Sequence, residues 1–149
     1  MSDSGLTGLD KKWFDFTSIY VNKLDEFGGQ DWGQLSPEEQ ELAALWKLEM
    51  DMHNGGFIQF ICNWGSACYG HAIRCLTKLN ANQCLGIVTK QYSIVARLED
   101  DKRIESLWDI PKYLTKKEST AIGKLDEKYW DNTDNIQEKT FKTYHHLTD

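Results

Sequence analysis

The stretch His53-Asn54-Gly55-Gly56-Phe57-Ile58-Gln59-Phe60-Ile61-Cys62-Asn63-Trp64-Gly65 constrains the fold more than any other part of the chain. Two adjacent glycines break a preceding helix, because glycine accepts positive φ and loses the most entropy when held helical. An apolar run follows at once, with Phe57, Phe60, Ile61 and Trp64 at helical spacing. The pattern predicts a tight corner between two core helices, the second almost wholly buried.

Helical periodicity governs the remainder. Between Leu9 and Phe27, the residues Trp13, Phe16, Tyr20, Leu24 and Phe27 form one apolar stripe, with Ile19 beside it, and Gly28-Gly29 ends the helix. Ser36-Pro37-Glu38-Glu39 is the clearest helix start: Ser36 caps, Pro37 takes the first helical position and Glu39 closes a capping box. This helix runs to about Met52, with Leu42, Leu45, Trp46 and Met50 inward and Glu38, Glu41 and Glu49 outward. Gly65-Ser66 is a second break, followed by core helices over Ala67 to Leu79 and Gln83 to Leu98. A short helix is expected over Ile104 to Trp108, stopped before Pro111. Thr115-Lys116-Lys117-Glu118 makes a second capping box, with Ile122, Leu125 and Tyr129 behind it. Ile136, Thr140, Phe141, Tyr144 and Leu147 give a last amphipathic helix, with His145 and His146 near its end. The pattern predicts an all-α single domain over residues 1–149, built of about seven or eight helices.

With 40% apolar and 12% aromatic residues, a disordered chain is excluded. No apolar run approaches the roughly 18–20 residues of a membrane span. Met1-Ser2-Asp3-Ser4 lacks a basic leader and an apolar segment, so a cytoplasmic protein is expected. Cys62, Cys68, Cys75 and Cys84 lie in one central segment, without a CxxC pair or a zinc-like spacing. They read as small buried hydrophobes, and neither a metal nor a cofactor is expected.

Charge is unevenly spread. Residues 1–51 hold eleven acids and four bases, a net of −7. Residues 52–98 hold no Asp or Glu, and Arg74, Lys78, Lys90 and Arg97 give +4. Residues 99–149 hold twelve acids and nine bases, a net of −3. A net charge of −6 repels nucleic acid and favours basic partners, and the central bases are too spread for a phosphate patch.

Catalytic signals are absent. The Gly-Gly corner lacks the spacing of a phosphate-binding or dinucleotide loop. His53 has no nucleophile at a recognisable offset and reads as a helix-end histidine, as do His145 and His146. Asn54, Gln59 and Asn63 could line a small-molecule pocket; their expected role is to satisfy backbone groups opened at the corner.

The acids form three groups. Asp25, Glu26 and Asp31 lie around the first helix end; Glu38, Glu39, Glu41, Glu49 and Asp51 lie along the second helix; Glu99, Asp100, Asp101, Glu105 and Asp109 form the third. Composition alone makes these a solvated face. Carboxylates three or four residues apart on a helix also sit about 5–6 Å apart, a plausible stand-in for the charges of a DNA strand. A protein that binds phosphates through Lys, Arg and helix N-termini would accept such a surface.

The run from Glu49 to Asn63 resembles the E-x-x-x-x-N-G-G-F-x-Q-F-x-x-N core of a bacterial all-helical family of DNA-mimic proteins. The resemblance implies a homodimer without enzymatic activity that occupies the DNA-binding face of a helix-turn-helix transcriptional repressor and relieves repression. Charge and the lack of a span-length apolar run add the expectation of no direct contact with nucleic acid or membrane. The acids are not part of the motif; charge alone points to Asp25, Glu26, Asp31, Glu38, Glu39, Glu41, Glu49, Asp51, Glu99, Asp100, Asp101 and Glu105 as the partner-binding surface. Two alternatives stand beside this one: an immunity-like inhibitor of a basic nuclease, and a small-molecule or enzyme domain using the His53–Asn63 corner.

Overall fold

A computed structural model describes residues 8–148. Among them are six α-helices: α1 (Gly8–Glu26), α2 (Pro37–Met52), α3 (Phe57–Leu79), α4 (Asn82–Val95), α5 (Lys116–Trp130) and α6 (Ile136–Thr143). Gly65, at φ +81°, bends α3 into two segments, so the described residues form seven α-helical pieces and contain no strand. The all-α expectation holds.

α2 is the centre of the packing. It lies against α1 and α3 and also touches α5. Leu42, Ala43, Ala44, Leu45, Leu48 and Met52 are fully buried, while Trp46 and Met50 stay half-buried. A helix enclosed on most of its circumference has little solvent face left to offer its charged residues.

Local signals place the helix ends. The Ser36 hydroxyl oxygen accepts from the Glu39 N–H at 3.3 Å and the Glu39 carboxylate accepts from the Ser36 N–H at 2.9 Å, the predicted capping box. Thr115 and Glu118 repeat the device at the start of α5. At the corner, the N–H groups of Asn54, Gly55 and Gly56 all converge on the Asp51 carbonyl at 2.8–3.1 Å. Gly56 stands at φ +89°, and a Cβ there would strike the Asp126 carboxylate. Only glycine satisfies both demands.

α3 and α4 begin without a side-chain cap of their own. Each is served from far along the chain. Asp126 accepts the Phe57 N–H at 3.0 Å, and Asp134 accepts the Cys84 N–H at 2.7 Å and that of Gln83 at 3.4 Å. A carboxylate at a helix start pairs orphan donors and opposes the helix dipole.

Three expectations need correction. Phe27 is not on the buried stripe of α1: it follows the helix end and is 44% exposed, and Ile19 is exposed as well. The helix expected to Leu98 ends at Val95 and tightens into a 3-10 turn over Ala96–Leu98. No helix stops before Pro111; a 3-10 segment, Leu107–Tyr113, runs through it. The fixed φ of proline suits 3-10 geometry, and a box between Ser106 and Asp109 opens the segment. His145 and His146 sit in a 3-10 turn after α6.

Candidate functional site

The three groups of acids meet different fates. In the second group, Glu41, Glu49 and Asp51 are buried, which overturns the outward placement of Glu41 and Glu49. Glu41, 1% exposed, accepts from Arg74 Nε at 3.0 Å, Lys78 Nζ at 2.7 Å and the Tyr144 hydroxyl at 2.8 Å. Burial pushes its carboxyl up; the bonds from Lys78, Arg74 and Tyr144 outweigh that and hold it below the ordinary value. Glu49 accepts from the Tyr129 hydroxyl, with His53 Nε2 at 3.8 Å. Here burial wins, and its carboxyl lies above the ordinary value. Of the remaining two, Glu38 pairs with His146 at 2.7 Å, and Glu39 pairs with Lys23 at 2.7 Å besides closing the α2 cap.

Asp51 is the hub of the glycine corner. Its Oδ1 accepts from Gln59 Nε2 at 2.8 Å; its Oδ2 accepts from Trp64 Nε1 at 2.9 Å and Asn63 Nδ2 at 3.3 Å. Asn54 donates to Gln59 at 3.4 Å. Gln59 and Asn63 therefore serve a side-chain carboxylate and Asn54 serves Gln59, and not the open backbone groups expected of them. Lys47 lies beside this cluster, 2% exposed, with its Nζ 3.3 Å from the centre of the Trp64 ring. Burial lowers the Lys47 pKa, and the negative ring face supports its charge. A corner so fully bonded to itself is a structural device, which removes the sequence motivation for a pocket built from Asn54, Gln59 and Asn63.

The first and third groups keep their charge outside. Asp25, Glu26 and Asp31 are exposed, and among the described residues none forms a salt bridge, although the Glu26 charge acts on Lys23. Glu99, Asp100 and Glu105 are likewise exposed and enter no salt bridge among the described residues, although Lys112 is near enough to feel the Glu105 charge. Asp101 differs: Arg103 folds back on it at 2.7 Å and holds its carboxyl down at about 2. Asp109 is tied to Lys112 and to the N–H groups of Glu105 and Ser106.

Both exposed groups are connected to the bend of α3. The Asp25 charge acts on Lys47, which lies on Trp64. Glu99 and Asp100 line a groove of about 300 Å³ floored by Ile61, Gly65, Val95, Leu98 and Ile110. Leu107 and Trp108, 39% and 53% exposed, lie on the adjoining 3-10 segment.

A family model described as DMP19-like protein matches residues 33–146, well over half of the chain. The chain belongs to the DMP19-like family. This is a family of DNA mimics, and not one of enzymes. The match spans the glycine corner and the second and third acid groups, and leaves out α1 with Asp25, Glu26 and Asp31. A search of curated proteins gave no match, and a search of solved structures gave none.

The four thiols of this DMP19-like chain are free and buried. Burial raises each, to about 11 at Cys62 and about 12 at Cys75, so they remain protonated packing groups. Among the described residues no cluster of His, Cys, Asp or Glu could hold a metal ion, and no helix is long and apolar enough to cross a membrane.

Sequence reasoning missed Tyr129, Tyr144, Asp126 and Asp134 as polar partners, and Lys47 as a buried cation. The tyrosines read only as apolar stripe members, and their acids lie 80 and 103 residues away in sequence. One signal existed. Glu49 stands four residues after Leu45 and three before Met52, hence on the apolar face of α2.

Proposed function

We propose that this chain acts by presenting its unpaired exposed acids to the DNA-binding face of a helix-turn-helix transcriptional repressor, so that repression is relieved. The observation that carries the reading is the set Asp25, Glu26, Asp31, Glu99, Asp100 and Glu105, exposed and in no salt bridge among the described residues, in a member of a DNA-mimic family. Glu41, Glu49 and Asp51 leave the contact set, since each is enclosed and bonded within the domain. Asp101 and Glu39 contribute less, because Arg103 and Lys23 already neutralise them.

The protein works as a homodimer in the cytoplasm, a two-fold pairing that doubles the acidic surface. Exposed Ile19, Phe27 and Trp108 supply apolar area for such a contact. No cofactor and no direct nucleic-acid contact enter the mechanism. Opposite charge steers the encounter, so association is fast and weakens as salt rises.

The test is a competition. Repressor captured from host extract is bound to labelled operator duplex, and increasing protein should displace the DNA. Replacing Glu99, Asp100 and Glu105 together by Lys should weaken displacement by at least about tenfold at low salt, close to 1.4 kcal/mol. Displacement that is insensitive both to salt and to this triple reversal would defeat charge mimicry.

A further inference from the structure

The groove beside Glu99 and Asp100 joins an apolar floor to an acidic rim. Ile61, Val95, Leu98 and Ile110 are buried beneath it, and exposed Glu99 and Asp100 line it too. Ile104, half-buried, and Leu107, 39% exposed, close it from the segment that follows the acids. Gly65 lets that segment come near: a Cβ there would stand 3.2 Å from Leu107 Cδ1. The bend of α3 and the acid-bearing turn therefore build one surface feature. At about 300 Å³ it lies at the small end of ligand sites, the scale of a large side chain.

An apolar centre inside a polar rim is the anatomy of a protein-interface anchor point, where one large side chain fills a pocket and weaker contacts ring it. The rim here is negative, so the side chain that enters best has Lys or Arg beside it. A second copy of this chain is a poor occupant. A two-fold contact through this face would bring Glu99, Asp100 and Glu105 towards their own counterparts, and like charges oppose docking. A protein that reads DNA is a good one. Its contact face carries cations for the phosphates and apolar side chains that meet the methyl groups of thymine.

We propose that the groove receives one large apolar side chain, flanked by Lys or Arg, from the DNA-binding face of the partner protein. This rests on the repressor contact proposed above and adds what charge alone lacks. Carboxylates attract any basic surface and govern how fast it arrives. A filled apolar pocket selects among basic surfaces and governs how slowly the chosen one leaves. Salt screens the first contribution and leaves the second, so the contact has a salt-resistant part.

Three acetylated, amidated peptides separate the two contributions: Arg-Arg-Phe-Arg-Arg, the same with Ser for Phe, and the same with Glu for every Arg. The readout is the methyl resonances of Ile104 and Leu107 in the full chain. The first peptide should shift both saturably. The Ser peptide should bind at least about tenfold more weakly at low and at high salt, as expected for burial of one aromatic side chain. The Glu peptide should be weaker by a similar factor at low salt, with the gap narrowing as salt rises. Ser66→Trp, at an exposed position lining the groove, fills it and should erase the preference for Phe over Ser. Leu107→Gln keeps the size of the wall, removes its apolar character, and should reduce that preference.

Equal affinity for the Phe and Ser peptides, or a preference for Phe that persists in both variants, would overturn the proposal. So would phenethylguanidinium binding as tightly as the first peptide, which assigns the groove to free small cations. Resonances that move on dilution of the protein alone, and not with peptide, would assign it to a second copy and overturn the proposal too. Operator competition keeps the groove and the repressor contact apart. Ser66→Trp should displace repressor at least about tenfold less well, and the loss should persist at high salt. Displacement that fails in the Lys triple at Glu99, Asp100 and Glu105 but is unchanged in Ser66→Trp would keep charge mimicry and remove the groove. No displacement by the parent, with selectivity for the Phe peptide intact, would defeat the repressor contact and keep the chemistry of the groove.

Discussion

The acids of α2 and those between residues 99 and 105 look alike in sequence and behave as opposites in the fold. Glu41, Glu49 and Asp51 turn into a helix that is enclosed by its neighbours, and each has recruited partners from other elements. Glu99, Asp100 and Glu105 sit exposed on a turn-rich segment after α4 and, among the described residues, enter no salt bridge. The first set holds the domain together; the second is available to something else. Charge counted along a chain is therefore a poor measure of charge displayed by it, because a central helix converts carboxylates into internal acceptors.

This contrast can be broken in four places. The largest effect is expected at Glu41. Glu41→Ala strips three donors of their acceptor, and should cost about 2–4 kcal/mol in urea unfolding, below the full value for a buried pair because Arg74 and Lys78 stay half-exposed. Asp51→Ala should follow at about 2 kcal/mol, by leaving Gln59, Asn63 and Trp64 without their acceptor. Amide exchange should then quicken at the glycine corner first. If either variant unfolds like the parent, the buried acids are not the internal fasteners described.

A third expectation concerns pH. Burial holds the Glu49 carboxyl above its ordinary 4.5, so over the window above 4.5 the native protein keeps a proton that the unfolded chain has lost. Stability contributed by that proton is present at low pH and declines as pH rises through the window. Glu49→Gln removes this decline. Its stability relative to the parent should therefore improve as pH rises above 4.5. A constant difference across that range would mean that Glu49 is ionised in the fold like an exposed acid.

The smallest effect belongs to the other side of the comparison. Lys at Glu99, Asp100 and Glu105 should alter stability by under about 0.5 kcal/mol per site, since exposed substitutions without partners rarely do more. A large loss would show that these acids, too, serve the fold.

Much of the architecture could be read from the chain because its signals are local. Ser36-Pro37-Glu39, Thr115-Glu118 and the two glycine bends at Gly56 and Gly65 each act within a few residues. The amino-acid pattern does not reveal what lies opposite a residue once helices pack. Glu49 and Tyr129 are 80 residues apart, and Gly56 and Asp126 are nearly as distant; only the fold brings them together. The 3-10 segment through Pro111 was illegible for another reason: the rule that proline ends an α-helix says nothing about a tighter helix that tolerates it. Of the twelve acids marked by charge, Asp25, Glu26, Asp31, Glu99, Asp100 and Glu105 are exposed, Glu38, Glu39 and Asp101 are partly covered, and Glu41, Glu49 and Asp51 on the enclosed helix are buried. The family match rests on the whole span 33–146, beyond the corner that first suggested it.

The distant capping of α3 and α4 bears on how the molecule is made. A ribosome delivers Phe57 and Cys84 well before Asp126 and Asp134, so two helix beginnings emerge with bare donors and wait for the last quarter of the chain. Nascent protein released short of residue 126 would carry that deficit permanently, and should be a ready target for proteases.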